Sequence, residues 1–444
     1  MSINFVSCLT WVPRGKAKAI PETLQYSQED VQRMIDETKG KLAGMNPNVQ
    51  QQDMEMEDMD EDEAISRRYG LENYDDDDDD LEEDEENQPP ILGNLGSMAV
   101  YASNADDPYL QQQGGPDSDS EDERDNFEIK PGDNLILAGH VEGESSSLEV
   151  HVYNKEQDDF YPHHDIVLGA YPLCFEWLSL PNLPNCVACG DMTADISIWN
   201  LDVVNLLEAG CKLTGHSDSV ISLSWDGSLS LASGSADKHV FLWDLENSCK
   251  KMDVKKCKGR VQGVSFHPQD KNVVLLGDDK GNASVTDIRS SNSSKTWTLS
   301  DSEVEGIIWD ELRPTNFFVA TDKGNVIYFD SRVETSSVYS LNAHNEAVTG
   351  IVQSPVRKDC LVTTSSDKTL KIWNISSGDR ASFVVQHPKV NVGKILTLTA
   401  SPDDPFVFAI GGDAKSNNFR VLDISGLKAV KEAFGLQSVT LEQQ

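Results

Sequence analysis

The sequence predicts an all-β fold: a seven-bladed β-propeller with a long, disordered acidic insertion near its N-terminus. Three observations predict it: a repeat period of 43 to 49 residues, alternating apolar segments in each repeat, and acidic runs confined to the first third of the chain. The pairs Tyr153-Asn154, Trp199-Asn200, Trp243-Asp244, Thr286-Asp287, Phe329-Asp330, Trp373-Asn374 and Leu422-Asp423 each close an apolar segment, at successive spacings of 46, 44, 43, 43, 44 and 49 residues. A period of about 40 to 45 residues is that of a four-stranded propeller blade, which buries its faces only by stacking on its neighbours.

The clearest repeat shows how a blade is built. Residues 220–225 (VISLSW), 229–235 (LSLASGS) and 239–245 (HVFLWDL) alternate with the two-residue period of strands. Asp226-Gly227 and Ala236-Asp237-Lys238 form the hairpin connections. A more polar fourth strand is expected at the outer edge, over 248–257. The other repeats follow the same plan, beginning near Cys174, Val261, Val304, Val348 and Gly393.

The first unit has three strand patterns in place, 134–141, 148–154 and 165–171, and lacks its innermost one. That strand should read like VQGVSFHPQD (261–270). Residues 5–15, FVSCLTWVPRG, do so, with Val6, Leu9 and Trp11 at apolar positions and Pro13 at the turn. Residues 1–15 are therefore expected in blade 1, 16–130 as an insertion, 131–435 as the propeller and 436–444 as a tail. The competing possibility makes Trp11-Val12-Pro13-Arg14 part of a linear docking peptide.

The chain has 444 residues and a formal net charge of -38, and residues 1–130 hold 34 acids against 10 bases. Within them, Ser27 caps an expected amphipathic helix over 27–44, a candidate docking element. The runs at 53–63, 75–86 and 117–125 cannot bury enough apolar area to offset chain entropy, and disorder is expected there. Ser118 and Ser120, each with a glutamate three residues on, are candidate phosphosites for an acidophilic kinase.

Several chemistries find no support. No apolar run approaches the roughly 18 residues that span a bilayer, and MSINFVSCLTWVPRG lacks the basic leader and apolar core of a signal peptide. An intracellular protein without membrane partners is expected. Cys186 and Cys189 form a lone CxxC inside a strand pattern, where buried thiols are ordinary. His163 and His164 are adjacent on a strand and are expected to point to opposite faces, so neither a metal nor any other cofactor is expected. No nucleophile elbow, phosphate loop or HExxH motif occurs. Neither catalysis nor a small-molecule substrate is expected.

Overall acidity disfavours nucleic-acid binding, which draws its affinity from Lys and Arg. One local exception is the cluster Lys250, Lys251, Lys255, Lys256, Lys258 and Arg260 on the expected outer strand, a candidate contact patch for RNA phosphate or an acidic protein. The alternative is an edge strand guarded by lysines against aggregation.

Two repeats carry more than the period. Gly215-His216, Ser233, Asp237 and Trp243-Asp244 resemble WD40 repeats, as do His344, Thr363, Asp367 and Trp373. The resemblance implies a hydrogen-bonded tetrad in each, since a buried indole and imidazole both need partners. Thr286, Phe329 and Leu422 replace the tryptophan elsewhere, and those blades are expected to rely on apolar packing.

Longer irregular strings resemble one family: TWVPRG (10–15), YDDDD (74–78), DPY (107–109), DNLILAG (133–139), LEVHVYN (148–154), YPLCFEWL (171–178), LNAHN (341–345) and KEAFG (431–435). They are similar to the periodic tryptophan protein 1 family, eukaryotic WD-repeat factors of the nucleolus. One departure is visible, since relatives can carry a lysine-rich insertion where residues 201–216 hold only Lys212. The resemblance implies a scaffold in the nucleus and nucleolus that joins pre-60S ribosomal particles and assembly factors and supports pre-rRNA processing. The acidic insertion would engage basic proteins, ribosomal proteins or histones. A histone-binding chromatin propeller acting on transcription, rRNA genes included, is the alternative; a ubiquitin-ligase adaptor has no feature in its favour.

Overall fold

The computed structural model describes residues 3–24, 128–246, 250–290, 294–334, 336–387 and 390–436. Seven antiparallel sheets follow one another along the chain, and their innermost strands pack side by side around a central channel. The fold is the expected seven-bladed propeller. Asn4–Val12 is the innermost strand of blade 1 and pairs with Asn134–Glu142, from Asn4 opposite Glu142 to Val12 opposite Leu135. Ser145–Asn154 and Asp159–Leu168 complete that blade. The ring is thus closed by a strand that precedes the insertion, packed against both the second and the last blade.

Strand burial follows position in the ring. The second strand of a blade lies between two neighbouring sheets, so its two faces are both covered: every residue of Asn316–Thr321, Cys360–Ser365 and Val407–Gly412 is buried. The outermost strands are polar and largely exposed, as in Ser337–Asn342. Apolar residues gather at the seams, where Val12, Leu137 and Val150 of blade 1 meet Phe175, Val187 and Trp199 of blade 2. Each such side chain contributes about 1.5–3 kcal/mol when fully buried.

The turn between second and third strands is left-handed at one equivalent position in four successive blades: Lys238 (φ 70°), Gly281 (φ 74°), Gly324 (φ 80°) and Lys368 (φ 67°). Glycine is needed where the next connection presses in, because a Cβ at Gly324 would sit 2.2 Å from the His344 carbonyl.

Three features differ from expectation. Among the described residues blade 7 has three strands, Ile395–Ala400, Val407–Gly412 and Phe419–Asp423, instead of four. The chain then enters a 3₁₀ turn, Ile424–Gly426, and a helix, Lys428–Phe434. Residues 16–24 are not looped out: Lys18 N–H donates to Asp202 Oδ1 (2.9 Å), and Glu22–Thr23 pairs in parallel with Val203–Val204 of blade 2. Finally, a bulge between Val150 and His151 skips His163, so its ring joins that of His164, with Nδ1 atoms 2.7 Å apart. The period-two argument for opposite faces fails there because the strand is not regular. Burial, with His163 beside it, pushes the His164 imidazole down to about 4.

Candidate interaction surfaces

Two blades are fastened from within. In blade 3, His216 Nε2 lies 2.7 Å from Ser233 Oγ, His216 Nδ1 lies 2.9 Å from Asp237 Oδ2, and Trp243 Nε1–H donates to Ser233 Oγ at 2.8 Å. Blade 6 repeats this with His344, Thr363 and Trp373, at 2.8 Å and 3.0 Å from Thr363 Oγ1. There His344 Nδ1 is nearer Thr369 Oγ1 (2.9 Å) than Asp367 Oδ2 (3.3 Å), so Thr369 is a member the sequence did not suggest. Burial holds both imidazoles below their ordinary value, keeping them neutral. Burial acts to raise Asp237, but the N–H donors of Ser217 and His239 and the His216 ring outweigh it, and its carboxyl is lowered.

Blade 5 departs from the expectation of apolar packing alone. Tyr328 O–H donates to Asp310 Oδ2 at 2.6 Å, and Arg313 Nη1 lies 3.3 Å from the same oxygen. Gln353 Nε2 of blade 6 donates to Asp310 Oδ1 at 3.1 Å, and Arg313 also donates to the carbonyls of Ile375 and Ser376. The carboxylate is fully buried. The polar fastening extends from inside blade 5 across the seam to blade 6, at the residue that follows the innermost strand.

Other seams use the same level of the ring. His267 Nε2 meets the Pro314 carbonyl (2.8 Å), Ser354 O–H donates to Pro405 O (2.8 Å), and Asn134 Nδ2 donates to Asp403 Oδ2 (2.7 Å). Arg14 pairs with Asp404 at 2.5 Å, joining the N-terminal segment to blade 7. Glu176 accepts the Trp225 N–H across the blade 2–3 seam, and burial pushes its carboxyl up to about 7. A further cluster sits where blades 1 and 7 meet. His140 Nδ1 lies 2.6 Å and His151 Nε2 2.9 Å from the two oxygens of Glu149, while Asn4 bridges His140 and Asn418.

The basic cluster is divided by its strand. Lys250–Lys256 is the outer strand of blade 3, as expected. Lys251 is exposed, with its Nζ lying over the Phe241 ring, 4.1 Å from the ring centre and 3.1 Å from the Gly215 carbonyl. Lys255 faces blade 4 and donates to Ser284 and Ser294; burial lowers its ammonium. Arg260 pairs with Asp279 at 2.9 Å. Lys256 and Lys258 extend into solvent, whereas the side chain of Lys250 lies outside the described residues. The geometry therefore offers a narrow cationic edge, not a continuous phosphate track.

Cys186 and Cys189 are free and buried, with the Cys186 thiol pushed up to about 12 by burial. Among the described residues, no three His, Cys, Asp or Glu side chains are placed to hold a metal, and no helix is long and apolar enough to cross a membrane. The expected helix over 27–44 and the candidate phosphosites Ser118 and Ser120 lie outside the described residues.

The WD domain, G-beta repeat model matches residues 208–244 and 335–374, which contain the two tetrad tryptophans. The periodic tryptophan protein 1 homolog of Drosophila melanogaster is 32% identical across 98% of this chain and 97% of its own length. The chain belongs to the periodic tryptophan protein 1 family. The Saccharomyces cerevisiae periodic tryptophan protein 1 is 25% identical across 97% of this chain and 89% of its own length. The crystal structure of a mitotic checkpoint complex contains a chain that matches 66% of this one and 84% of itself, with a TM-score of 0.54 and 17% identity. That likeness shows the propeller fold alone. The family match, by contrast, runs through the segments outside the repeats.

Proposed function

We propose that this chain is a non-enzymatic nucleolar scaffold in assembly of the large ribosomal subunit, supporting pre-rRNA processing on pre-60S particles. The observation that carries it is the near-full-length likeness to the periodic tryptophan protein 1 family, whose nucleolar role the resemblance implies. A closed ring with fastened seams suits this work, since it presents many loops at fixed mutual positions. The acidic insertion supplies the second part. Its carboxylates, with phosphates on Ser118 and Ser120, would hold basic assembly partners and compete with their premature contact with RNA.

The test is affinity purification of the tagged chain at moderate salt, scoring the RNA that accompanies it. Precursor large-subunit rRNA is expected. Nucleosomal DNA with histones would assign the chain to chromatin instead. Deleting 53–125 should weaken particle association and its salt dependence; unchanged association would remove the electrostatic role.

A further inference from the structure

Among the described residues, blade 7 lacks the fourth strand that its six neighbours possess. After Asp423 the chain runs into the helix Lys428–Phe434, which is fastened to blade 6 by Asn374 donating to the Ala433 carbonyl and Arg357 to that of Phe434. We propose that the open edge of Phe419–Asp423 takes an extended, basic segment of another protein as the missing strand.

The backbone is arranged for it. Gly412 N–H donates to the Asn418 carbonyl and Ile424 N–H to that of Phe406. By strand alternation, Arg420 and Leu422 bond inward to Val407–Gly412, and the backbone groups of Phe419, Val421 and Asp423 point outward. Among the described residues no strand lies on that side. An added strand gains affinity from such main-chain bonds and selectivity from pockets for alternate side chains.

The pocket is present as well. Phe419, Val421 and Asp423 line a trough against Tyr153, Asp158 and Phe160 of blade 1. The Phe419 ring packs edge-on, 5.3 Å from that of Phe160, which is 41% exposed. In blade 3 the equivalent space over the third strand is filled by Lys250–Lys256.

Charge selects the occupant. Asp158 is exposed at the trough's rim, and Asp423 adds a second carboxylate. The nearby cations are engaged: Lys155 lies 3.1 Å from Asp423 and 3.7 Å from Asp404, and Arg420, which also lines the trough, donates to the Val390 carbonyl. Lysine or arginine flanking alternate apolar residues complements this rim, whereas an acidic strand would meet repulsion. The inference does not depend on the ribosomal role.

The probe is a fluorescein-labelled peptide of about nine residues alternating lysine and valine, a usual strand length. Its control carries N-methyl groups at alternate amides, which keep charge and composition but remove the main-chain donors. Binding to the full chain should weaken at least about tenfold for the methylated peptide and for Val421→Pro, which loses an outward N–H at an edge position that tolerates proline. Asp158→Asn should weaken it about two- to threefold. Equal binding of both peptides, or unaltered binding by a Val421→Pro protein of native melting temperature, would overturn the proposal. So would a dimer that Val421→Pro abolishes, which gives the edge to a second copy, or binding that emerges only after removal of 437–444, which gives it to the chain itself. Should Val421→Pro disturb melting, the methylated peptide and Asp158→Asn carry the test on an intact backbone.

Discussion

Blades 3 and 6 are fastened from within, whereas blade 5 is fastened to its neighbour. In the first pair, a neutral imidazole, a hydroxyl and an indole bond inside one sheet. In the second, a buried carboxylate gathers Tyr328 and Arg313 from its own blade and Gln353 from the next. An internal tetrad stiffens a module without regard to its surroundings. A carboxylate that also bonds across the seam adds stability only the assembled ring has, so its Gln353 contact ties the integrity of the platform to blade order.

The comparison breaks most sharply at Asp310. Asp310→Ala removes the acceptor of Tyr328, Arg313 and Gln353 at once, and a loss of about 3–5 kcal/mol is expected in urea denaturation. Gln353→Ala should cost less alone and show coupling to Asp310→Ala in a double-mutant cycle; strict additivity would mean that the seam contact is idle. Next come the tetrads. Ser233→Ala and Thr363→Val each leave a buried imidazole and indole short of a partner, at about 2 kcal/mol apiece. Their costs should add, because each lies within one blade.

A third, smaller effect separates the tetrads from the blade 1–7 seam by pH. His216 and His344 sit below their ordinary value when folded, so the unfolded chain binds more protons below about pH 6.5, and their contribution is lost as pH falls. His140 has the opposite sign: its bond to Glu149 raises it, so its contribution is present below about 6.5 and lost as pH climbs through the raised value. Burial works against ionisation of Glu149, but its two histidines win and bring it to about 2, so its contribution is lost only as pH falls from its unfolded value near 4.5 toward 2. Glu149→Gln should therefore steepen the loss of stability between pH 7 and 5, by less than about 1 kcal/mol for so partly exposed a pair. A variant with the wild-type slope would contradict the assignment. The smallest effect is expected at Lys256 and Lys258, whose replacement by alanine should move stability by no more than about 0.5 kcal/mol.

What the sequence made legible was whatever repeats. The closing pairs give the blade count, and the His-Ser-Asp-Trp spacing identifies one tetrad fully and most of the other, because those bonds span short, fixed intervals inside a repeat. Thr369 has no signature in the sequence, because it shares the His344 ring nitrogen with Asp367 only once the turn is folded. Asp310 was obscured by its place in Trp309-Asp310, a second aromatic-Asp pair out of phase with the period, and its partner Gln353 lies 43 residues away. That distance is itself one period, so the signal lies between equivalent positions of adjacent blades and not along a strand. The missing strand of blade 7 and the histidine bulge follow from where the chain departs from regularity, which a periodic pattern does not report.

Closure of the ring by Asn4–Val12 is the claim on which the platform rests, since that strand joins blade 1 to blade 7 through Arg14 and Asp404 as well as its own pairing. It is tested by placing a protease site within 53–63 and cutting the folded protein there. The account predicts that the N-terminal fragment stays bound to the remainder through gel filtration and that the nicked protein melts cooperatively near the temperature of the intact chain. Release of that fragment from a remainder that stays folded and monomeric would contradict it.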